Sequence, residues 1–168
     1  MLAAWIALDA VGGGTIRSIN GGHTWIDPAQ SLPPEVVPVA LSPSPHDPDV
    51  FFLADYGFSG GLFVTDDGGA TWTPTGFAGT RVWDIVSHPT RASRIYVATD
   101  NDPFVLVSDD GGNHFSPFDE GLDLAGFPME FSLSPDTPPR LLLSTADGRF
   151  SRILSNPHPR RPAGRVAP

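Results

Sequence analysis

The chain has 168 residues, a formal net charge of −9 and no cysteine. Its length favours one domain, and the lack of cysteine excludes a disulfide framework and a thiolate metal site. All ten basic residues are arginines, five of them in the last 20 residues, whereas residues 1–148 hold every acid. Because that acidic body repels phosphate groups, no nucleic-acid partner is expected.

Short apolar segments bounded by turn residues follow one another along the chain, and no stretch has the periodicity of a helix. We therefore predict an all-β protein, with no segment long and apolar enough to span a membrane. In chain order the predicted strands are Trp5–Asp9, Gly14–Ser18, Val36–Pro43, Val50–Asp55, Leu62–Thr65, Val82–Pro89, Ile95–Asp100, Val105–Ser108, Pro128–Pro135, Leu141–Thr145 and Arg149–Leu154.

An eight-residue motif occurs three times, and its copies start 47 and 43 residues apart. Each copy has Ser or Thr, any residue, Asp or Asn, two glycines, two further residues and an aromatic. The polar side chains can cap backbone N–H groups, and an Asn-Gly or Asp-Gly pair favours a hairpin because both residues tolerate positive φ. The aromatic is expected to be buried and to begin an apolar strand. The structural residues so predicted are Ser18, Asn20, Gly22 and Trp25; Thr65, Asp67, Gly69 and Trp72; and Ser108, Asp110, Gly112 and Phe115.

A repeat near 45 residues that contains four short strands, here A to D, is typical of a β-propeller blade. The chain begins with strands B, C and D, continues with two complete blades and ends with A, B and C, which makes about three and a half blades. We assign residues 1–154 to these blades. The Pro- and Arg-rich residues 155–168 are predicted to be a disordered tail.

Three and a half blades leave the end blades without neighbours, although blades bury apolar surface on both sides. Three arrangements stay open: a tight four-bladed ring, an oligomer in which several arcs close a ring, and a fragment of a larger propeller. The last is the preferred interpretation.

The motif resembles the Asp-box, or BNR repeat, of sialidases, sortilin-type receptors, xyloglucan-active glycosidases and photosystem II assembly factors. The resemblance covers roughly residues 4–154, with Asn20 in place of Asp in the first copy and Phe115 in place of Trp in the third. It implies a propeller whose Asp-box turns lie at the edge, away from the binding face. Such relatives are often exported, but the N-terminus has no basic region and contains Asp9, so no signal peptide is evident and the compartment stays open.

Propeller geometry places the B–C and D–A loops on one face and the A–B loops and C–D turns on the other. The candidate functional face comprises the loops Asp55–Gly61, Phe77–Arg81, Asp100–Phe104 and Asp119–Phe127. An exposed aromatic pair in a Gly-rich loop is typical of a binding surface. Tyr56 and Phe58 could equally fold back over the neighbouring blade. The predicted ligand-binding residues are Tyr56, Phe58, Arg81, Trp83, Asp100 and Asp102.

Two carboxylates stand at equivalent positions of neighbouring A strands, five residues before Pro89 and Pro135. They are Asp84 and Glu130, and the same count in the earlier blade reaches Pro38. Paired carboxylates beside a channel could serve a glycoside hydrolase as acid and as base or nucleophile. They could equally be solvated groups at strand ends.

The sequence lacks the residue sets that sialidase activity and histidine metal sites require. The resemblance to sialidases would require an arginine triad, and among the body arginines only Arg81 lies on the appropriate face. No histidines have metal-ligand spacing, so no metal or other cofactor is predicted, although Asp100, Asn101 and Asp102 could bind calcium.

We therefore predict a non-catalytic module that binds a protein or a glycan. The alternatives are a xyloglucanase-like glycoside hydrolase and a structural fragment of a larger propeller; homo-oligomerisation is also compatible with the sequence.

Overall fold

A computed structural model describes residues 5–9, 14–18, 20–25, 32–58, 60–120, 128–134, 136–145 and 148–154. These residues form thirteen β-strands and no helix, which confirms the all-β prediction. The strands are β1 (Trp5–Asp9), β2 (Gly14–Ser18), β3 (Pro38–Pro43), β4 (Phe51–Asp55), β5 (Gly61–Thr65), β6 (Thr73–Ala78), β7 (Val82–Ser87), β8 (Ile95–Thr99), β9 (Val105–Ser108), β10 (Ser116–Pro117), β11 (Pro128–Leu133), β12 (Arg140–Thr145) and β13 (Gly148–Ile153).

The strands form four antiparallel sheets in chain order, here called the first to fourth sheets: β1–β2, β3–β6, β7–β10 and β11–β13. The second and third sheets are complete four-stranded meanders, as predicted for propeller blades. The strand expected after Trp25 begins at residues 26–31, which lie outside the described residues, as do residues 121–127 of a predicted loop and the predicted tail 155–168.

The hydrophobic core lies between successive sheets. Phe52 and Leu62 of the second sheet pack against Val82 and Ile95 of the third, and Tyr96 of the third packs in a cluster with residues of the fourth, namely Phe131, Leu141, Leu143 and Leu154. Every residue of β4 and β8 is buried, because a sheet covers each of these strands on both sides. The innermost strands β3, β7 and β11 lie side by side.

The four sheets form an open arc. Among the described strands, the first sheet makes no substantial contact with the fourth, so these strands do not form the closed four-bladed ring. The open end is visible in β12, where exposed and buried residues alternate from Arg140 to Leu143. One face of this strand packs on the third sheet and the other faces outward.

The three repeated turns share one hydrogen-bond pattern. In the second copy, Gly69 N–H donates to Thr65 Oγ1 at 2.9 Å and Thr71 N–H donates to Asp67 Oδ1 at 2.9 Å. The same bonds recur from Gly22 to Ser18 and Thr24 to Asn20, and from Gly112 to Ser108 and His114 to Asp110.

The structure adds one detail to the turn prediction and contradicts another. The positive φ values belong to both glycines of each pair (69° and 89° at Gly68 and Gly69) and to no Asn or Asp, because the capping residue itself stays in an ordinary conformation. The strands after the aromatics are not apolar: β6 is mostly exposed and β10 is entirely so, because they form the outer edges of their sheets.

The predicted burial of the motif aromatics holds for only part of the set. Trp72 is 6% exposed, and Phe115 packs on Phe77 of the preceding sheet with ring centroids 4.5 Å apart. Trp25 is 42% exposed, because no described sheet precedes the first one to cover it.

Candidate functional site

The innermost strands carry a β-bulge at the same position in three sheets: between Pro38 and Ala40, between Val82 and Asp84, and between Pro128 and Glu130. Bulges re-aim side chains at the rims of sheets. Asp84 lies opposite Ala98 and Glu130 opposite Ser144, so these two carboxylates are equivalent, as predicted.

The equivalent residue in the second sheet is Ala40, which lies opposite Ala54; the assignment of Pro38 was wrong. Counting back from the prolines failed because Pro43 ends β3 itself, whereas Pro89 follows Ser87, the last residue of β7, by two residues. The prolines therefore mark different points of the two strands.

Asp84 joins the third sheet to the fourth. Its Oδ1 accepts the N–H of Ile85 at 2.8 Å and its Oδ2 accepts the N–H of Phe131 at 2.5 Å. Burial raises the pKa of the Asp84 carboxyl above its usual value, the two amides oppose that rise, and the nearby charge of Glu130 adds to it. Glu130 itself is exposed. The sequence predicted the pair, but not that backbone amides already occupy both oxygens of Asp84.

Four predicted ligand-binding residues meet in one stack at the end of the second and third sheets. The rings of Tyr56 and Trp83 lie with centroids 4.2 Å apart, and the Arg81 guanidinium carbon lies 5.2 Å from the Tyr56 ring centroid. Arg81 Nη1 also lies 3.8 Å from Asp100 Oδ2. A cation over an aromatic ring at a partly exposed site is stabilised by about 0.5–1 kcal/mol, so Tyr56 and Asp100 together hold the guanidinium in place.

Beside this stack is an open cavity of about 280 Å³. Phe58 stands at its rim with 98% of its surface exposed. Asp100 Oδ1 is buried and has no hydrogen-bond partner among the described residues. The lining residues are Phe58, Gly60, Gly79, Arg81, Asp100 and Asn101. We call this end of the sheets, formed by residues 56–58, 60, 79–81 and 100–104, the loop face.

Asp55 fixes the loop that carries Tyr56 and Phe58. This carboxylate is 1% exposed, and its Oδ1 accepts the N–H groups of Val37 at 2.8 Å and Gly57 at 2.6 Å. A Cβ on Gly57 would lie 2.6 Å from the carbonyl oxygen of Glu35, so the close approach requires glycine here. Sequence reasoning missed this role of Asp55, although an Asp that ends a buried strand before Tyr-Gly is a turn-capping signal.

Asp102 does not join the cluster: it is exposed and lies outside the cavity lining. In the described part of the chain, no three His, Asp or Glu side chains are placed to hold a metal ion. Calcium binding by Asp100, Asn101 and Asp102 stays an alternative to the expectation that no metal is bound.

The opposite end of the sheets, here called the turn face, carries the repeated turns and the loops before β4 and β8. Arg94 Nε and Nη2 donate to the carboxylate of Asp109 at 2.5 and 2.7 Å, which places Arg94 away from the loop face, as predicted. Asp109 is half of this ion pair, and the hydrogen bond from Arg94 holds the pKa of the Asp109 carboxyl below its usual range.

Comparisons with known proteins agree on the fold. No protein-family model and no curated protein matches the chain. Among solved structures, the chain is similar to a GH74 xyloglucanase from Xanthomonas campestris (TM-score 0.61, 20% identity, 84% of this chain and 25% of that chain). It is also similar to YCF48 bound to D1 peptide (TM-score 0.64, 14% identity, 92% and 54%) and to the nidogen/laminin complex (TM-score 0.58, 18% identity, 90% and 60%).

These similarities establish that the chain has the fold of a β-propeller segment. The chain spans between a quarter and three fifths of the length of these three structures. They include an enzyme and two proteins in complex with protein partners, so they do not select one activity. The described residues contain no helix with the length and apolar character needed to cross a bilayer.

Proposed function

We propose that this propeller segment is a non-catalytic binding module that holds a segment of a partner protein on its loop face. The observation that carries the proposal is the cavity beside the Tyr56–Trp83–Arg81 stack, with Phe58 at its rim. Phe58 supports the proposal because its exposed ring lies beside the cavity, where a bound segment could bury it.

The residue types favour a protein ligand. Tyr, Trp, Phe and Arg are enriched at the centres of protein interfaces, where truncation of a few of them removes most of the affinity. Phe58 can pack on an apolar side chain, and the Arg81 guanidinium can donate to a carbonyl or carboxylate. Protein partners also occur in two of the similar structures.

The test pans a phage-displayed random peptide library against the immobilised chain and screens a glycan array in parallel. We expect peptides to be selected, and Phe58→Ser to weaken their binding at least about tenfold, the loss of a single interface anchor worth about 1.4 kcal/mol or more. The matched control is Trp25→Ser, because Trp25 is also an exposed aromatic but lies in a repeated turn on the turn face.

A second matched pair tests the charge. Arg81 and Arg140 have similar side-chain exposure, 47% and 51%, and similar ion pairs at 3.8 and 3.7 Å. Arg81→Ala should weaken peptide binding and Arg140→Ala should not. The proposal is wrong if only glycans bind, or if selected peptides bind Phe58→Ser and Arg81→Ala as tightly as the wild type.

Glycoside hydrolysis by Asp84 and Glu130 is the second candidate. The raised pKa of Asp84 beside a second carboxylate favours it, because an acid catalyst must stay protonated near neutral pH. The backbone amides on both Asp84 oxygens favour a structural role instead. The assay offers xyloglucan and an aryl glucoside to the wild type, Asp84→Asn and Glu130→Gln. Hydrolysis that both substitutions abolish would support this candidate, and no hydrolysis by the wild type would eliminate it.

A further inference from the structure

The first repeated turn has an asparagine where the second and third have an aspartate. Asn20 is followed by Gly21, and this is the one Asn-Gly pair in the sequence. Asparagine is among the chemically labile residue types, and a following glycine has no side chain to hinder attack of its backbone nitrogen on the asparagine side chain. Gly21 is exposed, and a Cβ at its position would have no atom within 4 Å. The turn is therefore open around the nitrogen that would attack.

The N–H of Gly21 differs from its counterparts in the other two turns. Gly68 N–H donates to the carbonyl oxygen of Asp49 at 2.8 Å, and Gly111 N–H donates to that of Ser93 at 2.9 Å. Among the described residues, Gly21 N–H has no such acceptor. Attack requires the nitrogen to lose its proton, and an N–H that donates a hydrogen bond must first give up that bond. Of the three nitrogens, that of Gly21 is thus the most available.

Two donors hold the oxygen of the Asn20 side chain. Its Oδ1 accepts the Ser18 hydroxyl at 3.0 Å and the Thr24 N–H at 2.9 Å. When a nitrogen adds to the side-chain carbon, negative charge develops on this oxygen, and donors already aimed at it stabilise that charge. Asn20 Nδ2, the nitrogen that would leave, donates to Thr24 Oγ1 at 2.8 Å. The hydrogen bonds of the turn therefore favour addition at this carbon.

The second turn shows how an aspartate would fit the first. Asp67 Oδ1 accepts the Thr65 hydroxyl and the Thr71 N–H, and its Oδ2 accepts the Thr71 hydroxyl at 2.7 Å. Thr24 occupies the place of Thr71 in the first turn, so its hydroxyl needs only to change from acceptor to donor. The first turn can thus hold an aspartate with the same hydrogen bonds.

We propose that Asn20 is a deamidation site, at which the chain converts spontaneously to a form with aspartate in all three repeated turns. Gly21 N bonds to Asn20 Cγ and closes a succinimide ring, and Nδ2 leaves as ammonia with the proton that Gly21 N gives up. Water then adds to Cγ, the bond from Cγ to Gly21 N breaks, and that nitrogen regains a proton. In the net reaction water is consumed, ammonia is released and the amide becomes a carboxylate.

The test incubates the folded chain at neutral and at mildly alkaline pH and follows each asparagine by peptide mapping with mass spectrometry. We expect the peptide that contains Asn20 to gain one mass unit, and to gain it faster at the higher pH because the attacking nitrogen must be deprotonated. Asn20→Asp supplies the reference product, since its peptide should co-elute with the product that forms in the wild type.

The matched control places the same residue pair in the third turn. His114→Gly gives Asn113 a following glycine, but the N–H at position 114 donates to Asp110 Oδ1 at 2.9 Å. In the folded chain, Asn20 should convert about fivefold faster than Asn113 of this variant, which is the effect of one hydrogen bond that must break first. In urea, where neither turn is formed, the two rates should be similar.

Three results would overturn the proposal. The first is an Asn20 that stays unchanged, and the second is a folded chain of the His114→Gly variant in which Asn20 and Asn113 convert at the same rate. The third is a product that consists of isoaspartate alone, which forms when water opens the ring at the backbone carbonyl. Isoaspartate lengthens the backbone by one carbon and therefore would not keep the hydrogen bonds of the turn.

Discussion

Ser42→Ala should destabilise the contact between the second and third sheets. Ser42 and Ser87 are 5% and 7% exposed; Ser42 Oγ lies 2.9 Å from Ser87 Oγ and accepts the Ser87 N–H at 2.9 Å. The substitution leaves that buried N–H without an acceptor. An unsatisfied buried donor costs about 1–3 kcal/mol, so we expect the free energy of unfolding to fall by about that amount.

The assay is urea unfolding at neutral pH, with Ser116→Ala as the control, because Ser116 lies exposed on the outer strand β10. The control should change the free energy of unfolding by less than about 0.5 kcal/mol, as is usual for surface substitutions. If Ser42→Ala costs no more than Ser116→Ala, the two sheets are not joined as described.

Gly60→Ala should cost about 1 kcal/mol or more beyond Gly21→Ala in urea unfolding, because both glycines have positive φ but only the Cβ at position 60 would lie 2.5 Å from a backbone carbonyl oxygen, that of Thr80; equal losses would contradict this. The pKa of Asp67 is held at about 2 by the hydroxyl and amide of the threonine four residues on and then by the threonine two residues before it. Because the folded-state pKa of Asp67 is depressed, the ionised carboxylate stabilises the folded chain at pH values above its ordinary pKa of 3.8. That stabilisation is lost as the pH falls through the folded-state pKa. An NMR titration of the Asp67 carboxyl group checks this prediction, and a midpoint at the ordinary pKa of 3.8 would contradict it. The same titration should give Asp84 a pKa above its usual value, and Glu130→Gln should lower it because a neighbouring negative charge is removed; a pKa that rises or stays fixed would contradict this.

Local sequence patterns predicted the strands because each strand's apolar run and each turn's capping residues are close together in the chain. The bounds of β1, β2 and β9 agree with the prediction, and the predicted β7 runs two residues past its end at Ser87. The Asn-Gly and Asp-Gly pairs do not by themselves place the positive φ values, because two adjacent glycines can both take them.

The loop-face cluster was predicted as a set of residues but not as a stack. Propeller geometry indicated that Tyr56, Arg81, Trp83 and Asp100 share a face, yet their contacts depend on how two neighbouring sheets pack, which no local pattern encodes. The role of Asp84 needed the same information, since its partner Phe131 lies 47 residues away. The error at Pro38 has a similar origin, because a proline count does not record where the bulge falls.

Native-state hydrogen exchange tests the central claim, that the complete sheets are packed on both sides within an arc. Backbone amides exchange slowly where opening requires the whole structure to unfold. The account predicts the slowest exchange in β4 and β8, whose residues are all buried, and faster exchange in β6 and β10 at the exposed outer edges. Exchange in β4 or β8 as fast as in β6 would contradict the packing of successive sheets described for this chain.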